Sequence, residues 1–371
     1  MDSIDQSALT STVLWSAFSL AVAFGAITQR THFCTMGALS DIVSMGDWTR
    51  MRMWVLAIAV AVLGFNGMVG LGWVEAGNSI YGGSRVLWLS TLVGGAMFGF
   101  GMVLASGCGS KSLVRVGGGN LKSLVVVLVL GLSGFATMRG ITAVLRVQTI
   151  DRATVELPAG QDLPSLLGGV IGAGAQAVAP WLGLAIAGLL ILWVLRRPEG
   201  RSLDVLLGGI GVGAVIVGLW WVSGQLGYLA EDPNTLEESF LATNSRRMEA
   251  LSMVAPVGYA LDWLLFFSDK SKTLTIGIVS VFGVVLGSAA VALATRSFRW
   301  EGFANVGDTG NHLVGGVLMG VGGVTALGCT IGQGLSGVST LSLGSGLALL
   351  GIVAGGVSAL RFQLWRLERT A

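Results

Sequence analysis

The sequence predicts an all-α polytopic membrane protein, and three observations carry that prediction. Charged residues make up 11% of the chain, against about 25% in a soluble domain, so they are too few to cover a water-facing surface. Mean hydropathy is +0.77. Apolar runs such as 121–145 and 274–295 are long enough to cross roughly 30 Å of hydrocarbon as helices. The expected architecture is about nine transmembrane helices plus short re-entrant helices. These form two inverted repeats whose broken helices meet at the midplane.

Hydropathy places the spans at approximately 11–28, 52–72, 86–106, 121–142, 177–195, 204–223, 273–295, 312–328 and 341–362. Apolar stretches too short to span remain at 33–46, 109–119, 165–176, 250–267 and 330–338. Segments of about 10–14 apolar residues suit re-entrant pieces, which are tolerated at membrane depth only where protein or a cavity shields their backbone. The whole chain, 1–371, reads as one integral membrane transport domain. Repeat A covers about 29–142, connecting helices about 165–224, and repeat B about 250–362. The first ten residues hold Asp2 and Asp5 and no Lys or Arg, unlike the n-region of a signal peptide, so the first helix is expected to be retained.

The 58 glycines are about twice the usual frequency. They permit close helix packing and let helices break where they line a cavity. Trp15, Trp48, Trp54, Trp73, Trp88, Trp220 and Trp221 fall near segment ends, where an aromatic belt would sit. A net charge of only +2 gives no polybasic tail for nucleic acid. The cysteines are Cys34, Cys108 and Cys329, with no CxxC, and the only histidines are His32 and His312. A zinc site needs more ligands, so no metal or other cofactor is expected and the thiols read as free.

The chain repeats itself. VGGAMFGFGMVLASGC (93–108) aligns without gaps on VGGVLMGVGGVTALGC (314–329), and Val93, Gly94, Gly95, Gly99, Gly101, Val103, Ala105, Gly107 and Cys108 all recur. The same offset carries CTMGALSD (34–41) onto APVGYALD (255–262), matching Gly37 to Gly258 and Asp41 to Asp262, with Cys34 opposite Ala255. An odd number of spans per repeat and two between them predict opposite orientations, a transporter signature. The larger share of Lys and Arg, including Arg50, Arg52, Arg196, Arg197, Arg201, Arg361 and Arg366, falls on one side. The positive-inside rule then puts the N-terminus outside and the C-terminus in the cytoplasm.

Three stretches carry the candidate chemistry. In TQRTHFCTMGALSD (28–41), Arg30 could attract an anion toward the Cys34 thiol, or it could merely snorkel to headgroups beside a small buried residue. In LASGCGSKSLVRVGGG (104–119), Gly107, Cys108, Gly109 and Ser110 break an apolar span. Exposed backbone N–H groups at such a break attract anions. Lys111 and Arg115 would share a helix face there, where an anion-attracting role and a membrane anchor explain them equally well. In LGCTIGQGLSG (327–337), Gly328, Cys329, Thr330 and Gln333 combine donors and flexibility with no formal charge, although a glycine-rich turn can be simple helix packing. A thiol is a weak donor and weak acceptor tolerable in apolar surroundings. A relay of such groups could pass a soft anion without trapping it.

RTHFCTMGALSD, SGCGSKSLVR and GCTIGQGLSG resemble the YeeE/YedE family of sulfur-compound transporters. The resemblance implies uptake of thiosulfate or a related sulfur anion across the bacterial inner membrane, passed along Cys34, Cys108 and Cys329 by weak thiol hydrogen bonds. It also implies a separate TusA-like sulfur-carrier protein in the cytoplasm. The chain has no Walker A motif, so it spends no ATP itself, and no enzymatic activity is expected. Asp41 and Asp262 could couple ions or cap a re-entrant helix. The alternatives are a membrane sulfurtransferase carrying a cysteine persulfide, which needs an accessible thiolate and usually a base, or a transporter of another sulfur or selenium species.

Overall fold

A computed structural model of the chain describes residues 3–232 and 236–370. Asp2 and the centre of the 225–249 loop lie outside the described residues. The helices in chain order are α1 (Ser3–Thr31), α2 (Thr35–Met45), α3 (Thr49–Gly70), α4 (Trp88–Leu104), α5 (Gly109–Gly117), α6 (Leu121–Arg139) and α7 (Ile141–Gln148). They continue with α8 (Leu163–Ile171), α9 (Ala175–Leu195), α10 (Leu203–Trp221), α11 (Val254–Leu265), α12 (Ile276–Ala294), α13 (Val306–Thr325) and α14 (Leu343–Thr370). Between α13 and α14, Gly332–Gly337 forms a wide π-type turn.

Eight stretches among the described residues are long and apolar enough to cross a bilayer. The ninth expected span is α13, which has 20 residues but opens on the polar residues Asp308, Asn311 and His312. The short pieces expected at 33–46, 109–119 and 250–267 are α2, α5 and α11. Local chemistry sets the boundaries. Asn120, Thr275 and Asn305 accept hydrogen bonds from Ser123, Ile278 and Asp308 backbone N–H groups and so start α6, α12 and α13. Gly46, at φ 68°, stops α2 with its N–H turned back on the helix carbonyls.

The packing expresses the repeat as symmetry. A Cβ added to Gly101 would lie 2.7 Å from Gly315 O, and one added to Gly315 would lie 2.7 Å from Gly101 O. Likewise Gly94 would meet Gly322 O at 2.7 Å and Gly322 would meet Gly94 O at 2.6 Å. Gly94 and Gly101 are the sequence equivalents of Gly315 and Gly322, so α4 and α13 cross antiparallel about a local two-fold axis. Inverted repeats require a two-fold axis of this kind between antiparallel helices. The outer contacts follow the same rule: α14 packs on α4 at Gly95 and Gly99, while α6 packs on α13 at Gly316 and Gly320. The exchange extends further, since α1 packs along α12 and α10 along α3. This leaves α9 as the one long helix without a counterpart.

Three features depart from expectation. Two short antiparallel ribbons interrupt the all-α pattern, Arg85–Val86 with Val155–Glu156 and Tyr228–Leu229 with Ser239–Phe240. The helix α7, which separates at Gly140 from the span expected over 121–142, exposes Ile141 and Leu145 while Arg146 turns inward, which suits the bilayer interface. Trp54 and Trp220 are not belt residues. Both are buried; Trp220 donates to Ser339 Oγ at 2.9 Å, and Trp54 lies against Gly334. Position near a segment end does not reveal which face of the helix a tryptophan occupies.

Candidate functional site

Two cavities approach the centre from opposite sides. The larger, about 600 Å³, is lined by Cys34, Gly37, Arg50, Ser106, Lys111, Arg115, Lys122, Arg299 and His312 among others. The smaller, about 340 Å³, is lined by Arg146, Glu249, Ser252, Ala255, Tyr259, Gly277, Val324, Leu327 and Gly328 among others. Helix α6 runs from Lys122 beside the first to Met138 beside the second, and α12 and α13 also connect the two. The cavities are repeat partners: Cys34 and Ser106 line one where Ala255 and Leu327 line the other. Ser106 and Leu327 share another trait, a left-handed backbone at φ 57° and 59°. Non-glycine residues held this way mark a break that the surrounding structure enforces.

The three cysteines are free, buried thiols; Cys34 lines the larger cavity, and Cys329 follows Gly328 at the smaller one. Each precedes a short helical segment. Cys34 caps α2 and its sulfur accepts from Gly37 N–H at 3.4 Å. Cys108 sits at the start of α5, with its sulfur 3.2 Å from Ser110 Oγ. Cys329 sulfur accepts from Gly332 N–H at 3.4 Å, and the Met253 N–H at the start of α11 also faces it. The thiols of Cys34 and Cys108 are neighbours, and the Thr330 hydroxyl approaches Cys108. Helix N-termini therefore converge on the thiols from both repeats, supplying partial positive charge beside the Lys111 and Arg50 side chains that line the larger cavity.

Polar atoms without a protein partner follow the same line. Thr35 Oγ1, Thr330 Oγ1, Gln333 Oε1, Ser345 Oγ, Tyr81 OH and Trp54 Nε1 are buried with no hydrogen-bond partner. Gln333 is held from its other end, donating Nε2–H to Ala326 O, which leaves Oε1 beside Gly337 and Ser345. Each such group costs about 1–3 kcal/mol unless something satisfies it, so these atoms are polar groups that the protein itself leaves unsatisfied. Thr35 and Thr330 belong to a shared local pattern, Cys-Thr-x-Gly, at 34–37 and 329–332. Sequence reading missed it because it does not obey the main repeat offset.

Other expected residues are placed as follows. Gly107 lies against the Lys111 side chain, and Gly109 touches Leu130 and Met253, joining the two repeats. Lys111 and Arg115 both line the larger cavity, and Arg115 donates to Ser106 O at 2.7 Å. Arg30 is not brought to the thiols. It is exposed and ion-paired with Asp204 at 3.6 Å. A further cation at the site is Arg50, which lines the larger cavity with Lys111 and Arg115 and was overlooked because it belongs to the next span. Neither Asp41 nor Asp262 caps a helix: each sits late in its short helix, bound to Arg50 at 3.0 Å and to Lys272 at 2.5 Å respectively. These equivalent pairs latch α2 and α11 to the segments that follow. Arg50→Ala strands a buried carboxylate, and we expect it to cost about 1–3 kcal/mol, toward the lower end because Arg50 is half-exposed. Thermal unfolding in detergent measures this, and Asp41→Asn added to Arg50→Ala should recover part of the loss.

A family model described as sulphur transport matches residues 30–358. The sequence is 26% identical to the thiosulfate transporter TsuA of Escherichia coli over 339 residues, 89% of each chain. It is also 26% identical to the thiosulfate transporter TsuA of Spirochaeta thermophila over 358 residues, 92% of this chain and 97% of that one. Over 111 residues it is 29% identical to the probable transporter YedE of Escherichia coli, covering 29% of this chain and 25% of that one.

Proposed function

We propose, from the premise that this chain belongs to the sulphur transport family, that it takes up thiosulfate along Cys34, Cys108 and Cys329. The observation that carries the reading is the coincidence of three buried free thiols, unpartnered Thr330 and Gln333 oxygens and two opposed cavities. Thiosulfate has a soft terminal sulfur and hard oxygens. Thiols and hydroxyls can donate weakly to both, and weak sites let the anion leave again, while the nearby cations Lys111 and Arg50 line the larger cavity. Gly107, Gly109, Ser110 and Gly328 shape the breaks, while Lys111 and Arg115 draw the anion on toward the larger cavity. A persulfide carrier fits poorly, because Cys108 and Cys329 line neither cavity and Cys34, which lines the larger one, is itself buried.

The larger cavity and its surroundings carry Arg50, Arg52, Lys111, Arg115, Arg196, Arg197 and Arg299, so we place that face in the cytoplasm of a bacterial inner membrane. The C-terminal end of α14 lies on the same face, and the N-terminus lies outside. A TusA-like carrier would collect sulfur at this basic mouth. The test is growth of a bacterium lacking its own thiosulfate uptake, with thiosulfate as sole sulfur source. The chain should restore growth and accumulate radiolabelled thiosulfate. A membrane-inserted chain that does neither overturns the reading.

A further inference from the structure

The smaller, outward cavity contains an acid where an anion must enter. Glu249 lies between α10 and α11, on the rim of the cavity that also touches Gly328, the residue before Cys329. Its Oε1 is closed off from solvent and has no hydrogen-bond partner, while the Asn244 backbone N–H and Ser245 Oγ, the latter 3.4 Å from Oε2, are the donors beside the carboxyl. Among the described residues it forms no ion pair. Arg146, on α7, lines the cavity too but is engaged with Asp151 at 3.3 Å.

The remaining groups around Glu249 do not neutralise it. Tyr259 from α11 and Tyr81 from the segment before α4 face it as uncharged phenols. Arg139, at the end of α6, acts on Tyr259. In its own segment, Arg247 is directed to Ser79 O at 3.4 Å and Arg246 is exposed. The cavity residues of α12 and α13, Gly277, Gly323 and Val324, carry no charge. A carboxylate here repels an entering anion, whereas the neutral acid offers it an O–H donor. Burial pushes the Glu249 carboxyl up to about 7, so both forms are populated near neutrality.

We propose that Glu249 is a proton-binding site of the outer vestibule, and that the anion enters only while this carboxyl is neutral. The proton comes from the outer medium and remains on Glu249; it is not passed to the anion. Proton and anion therefore favour each other's binding by the same factor, as linkage requires. The inference rests on the thiosulfate-transport reading above.

The test is initial thiosulfate uptake into proteoliposomes as the outer pH is raised. Wild-type uptake should fall by about tenfold between about pH 6 and pH 8, following the neutral fraction of an acid that titrates near 7. Glu249→Gln keeps an uncharged donor of the same shape and should transport at all these pH values with a flat profile. A flat wild-type profile overturns the proposal, as does a wild-type slope retained in E249Q, or a folded E249Q that takes up nothing. Absence of wild-type uptake at every pH would sink the transport reading instead. A second readout then still decides: labelling of Glu249 by a hydrophobic carbodiimide, which attacks protonated carboxyls, read by peptide mass spectrometry. Labelling should fall over the same pH range, and pH-independent labelling overturns the proposal.

Discussion

Cys108→Ala is expected to lower thiosulfate uptake by about 10- to 100-fold, the worth of a hydrogen bond to a charged group, while the chain stays folded. Cys108 lies beside Cys34 on one side and Thr330 on the other. Its side chain does not cap α5, so alanine removes a donor without removing a helix signal. The lost sulfur leaves a small void, at a cost of about 1 kcal/mol, which a melting curve in detergent would register as a modest shift. Cys108→Ser separates thiol chemistry from hydrogen bonding in general. Its hydroxyl keeps a donor in place but holds oxyanions more firmly, so uptake should fall less than in the alanine variant. Full uptake by C108A would remove the relay from the mechanism and leave the helix N-termini as the anion's guides. The chain already carries alanine at the fourth related position, Ala255, so the proposed relay would have three thiol stations and differ between its two mouths.

What the sequence showed of this arrangement, and what it hid, follows from the range of the forces involved. All nine expected spans are helical. Eight of them lie within stretches long and apolar enough to cross a bilayer, where such a run has one low-energy backbone solution; α13, with its polar start, is the exception. The break at Cys108 and its copy at Cys329 were legible because glycine and cysteine interrupt hydropathy in the same register. Side-chain direction was not. Arg30 and Arg50 are both cations at span ends, yet one meets Asp204 on the surface and the other reaches Asp41 beside Cys34. Hydropathy carries no information about that choice. The outer vestibule was hidden for a related reason: Arg146, Glu249 and Gly328 come from three distant segments, and only the two-fold packing of the repeats brings them together.

That packing supplies the largest expected stability effect. Gly322→Val should prevent recovery of a folded, monodisperse protein, or lower its stability by more than about 4 kcal/mol. The added Cβ would meet Gly94 O and Phe98 N, both at 2.6 Å, and these are backbone atoms of α4 that cannot step aside singly. The helices would have to separate, and the separation would be felt at the reciprocal Gly101–Gly315 contact, because one rigid crossing carries both. Gly101→Val should therefore do comparable damage from the other repeat, since its Cβ meets Gly315 O at 2.7 Å and Met319 N at 2.9 Å. Gly188, in α9, is the control: nothing lies within 4 Å of an added Cβ there. Gly188→Ala should be neutral or stabilising by a few tenths of a kcal/mol up to about 1 kcal/mol. Size-exclusion profiles and melting curves of the three variants make the comparison. If G322V melts within a few degrees of wild type, α4 and α13 are not locked by backbone contact. In that case the inverted repeats are held apart by something other than their shared glycines.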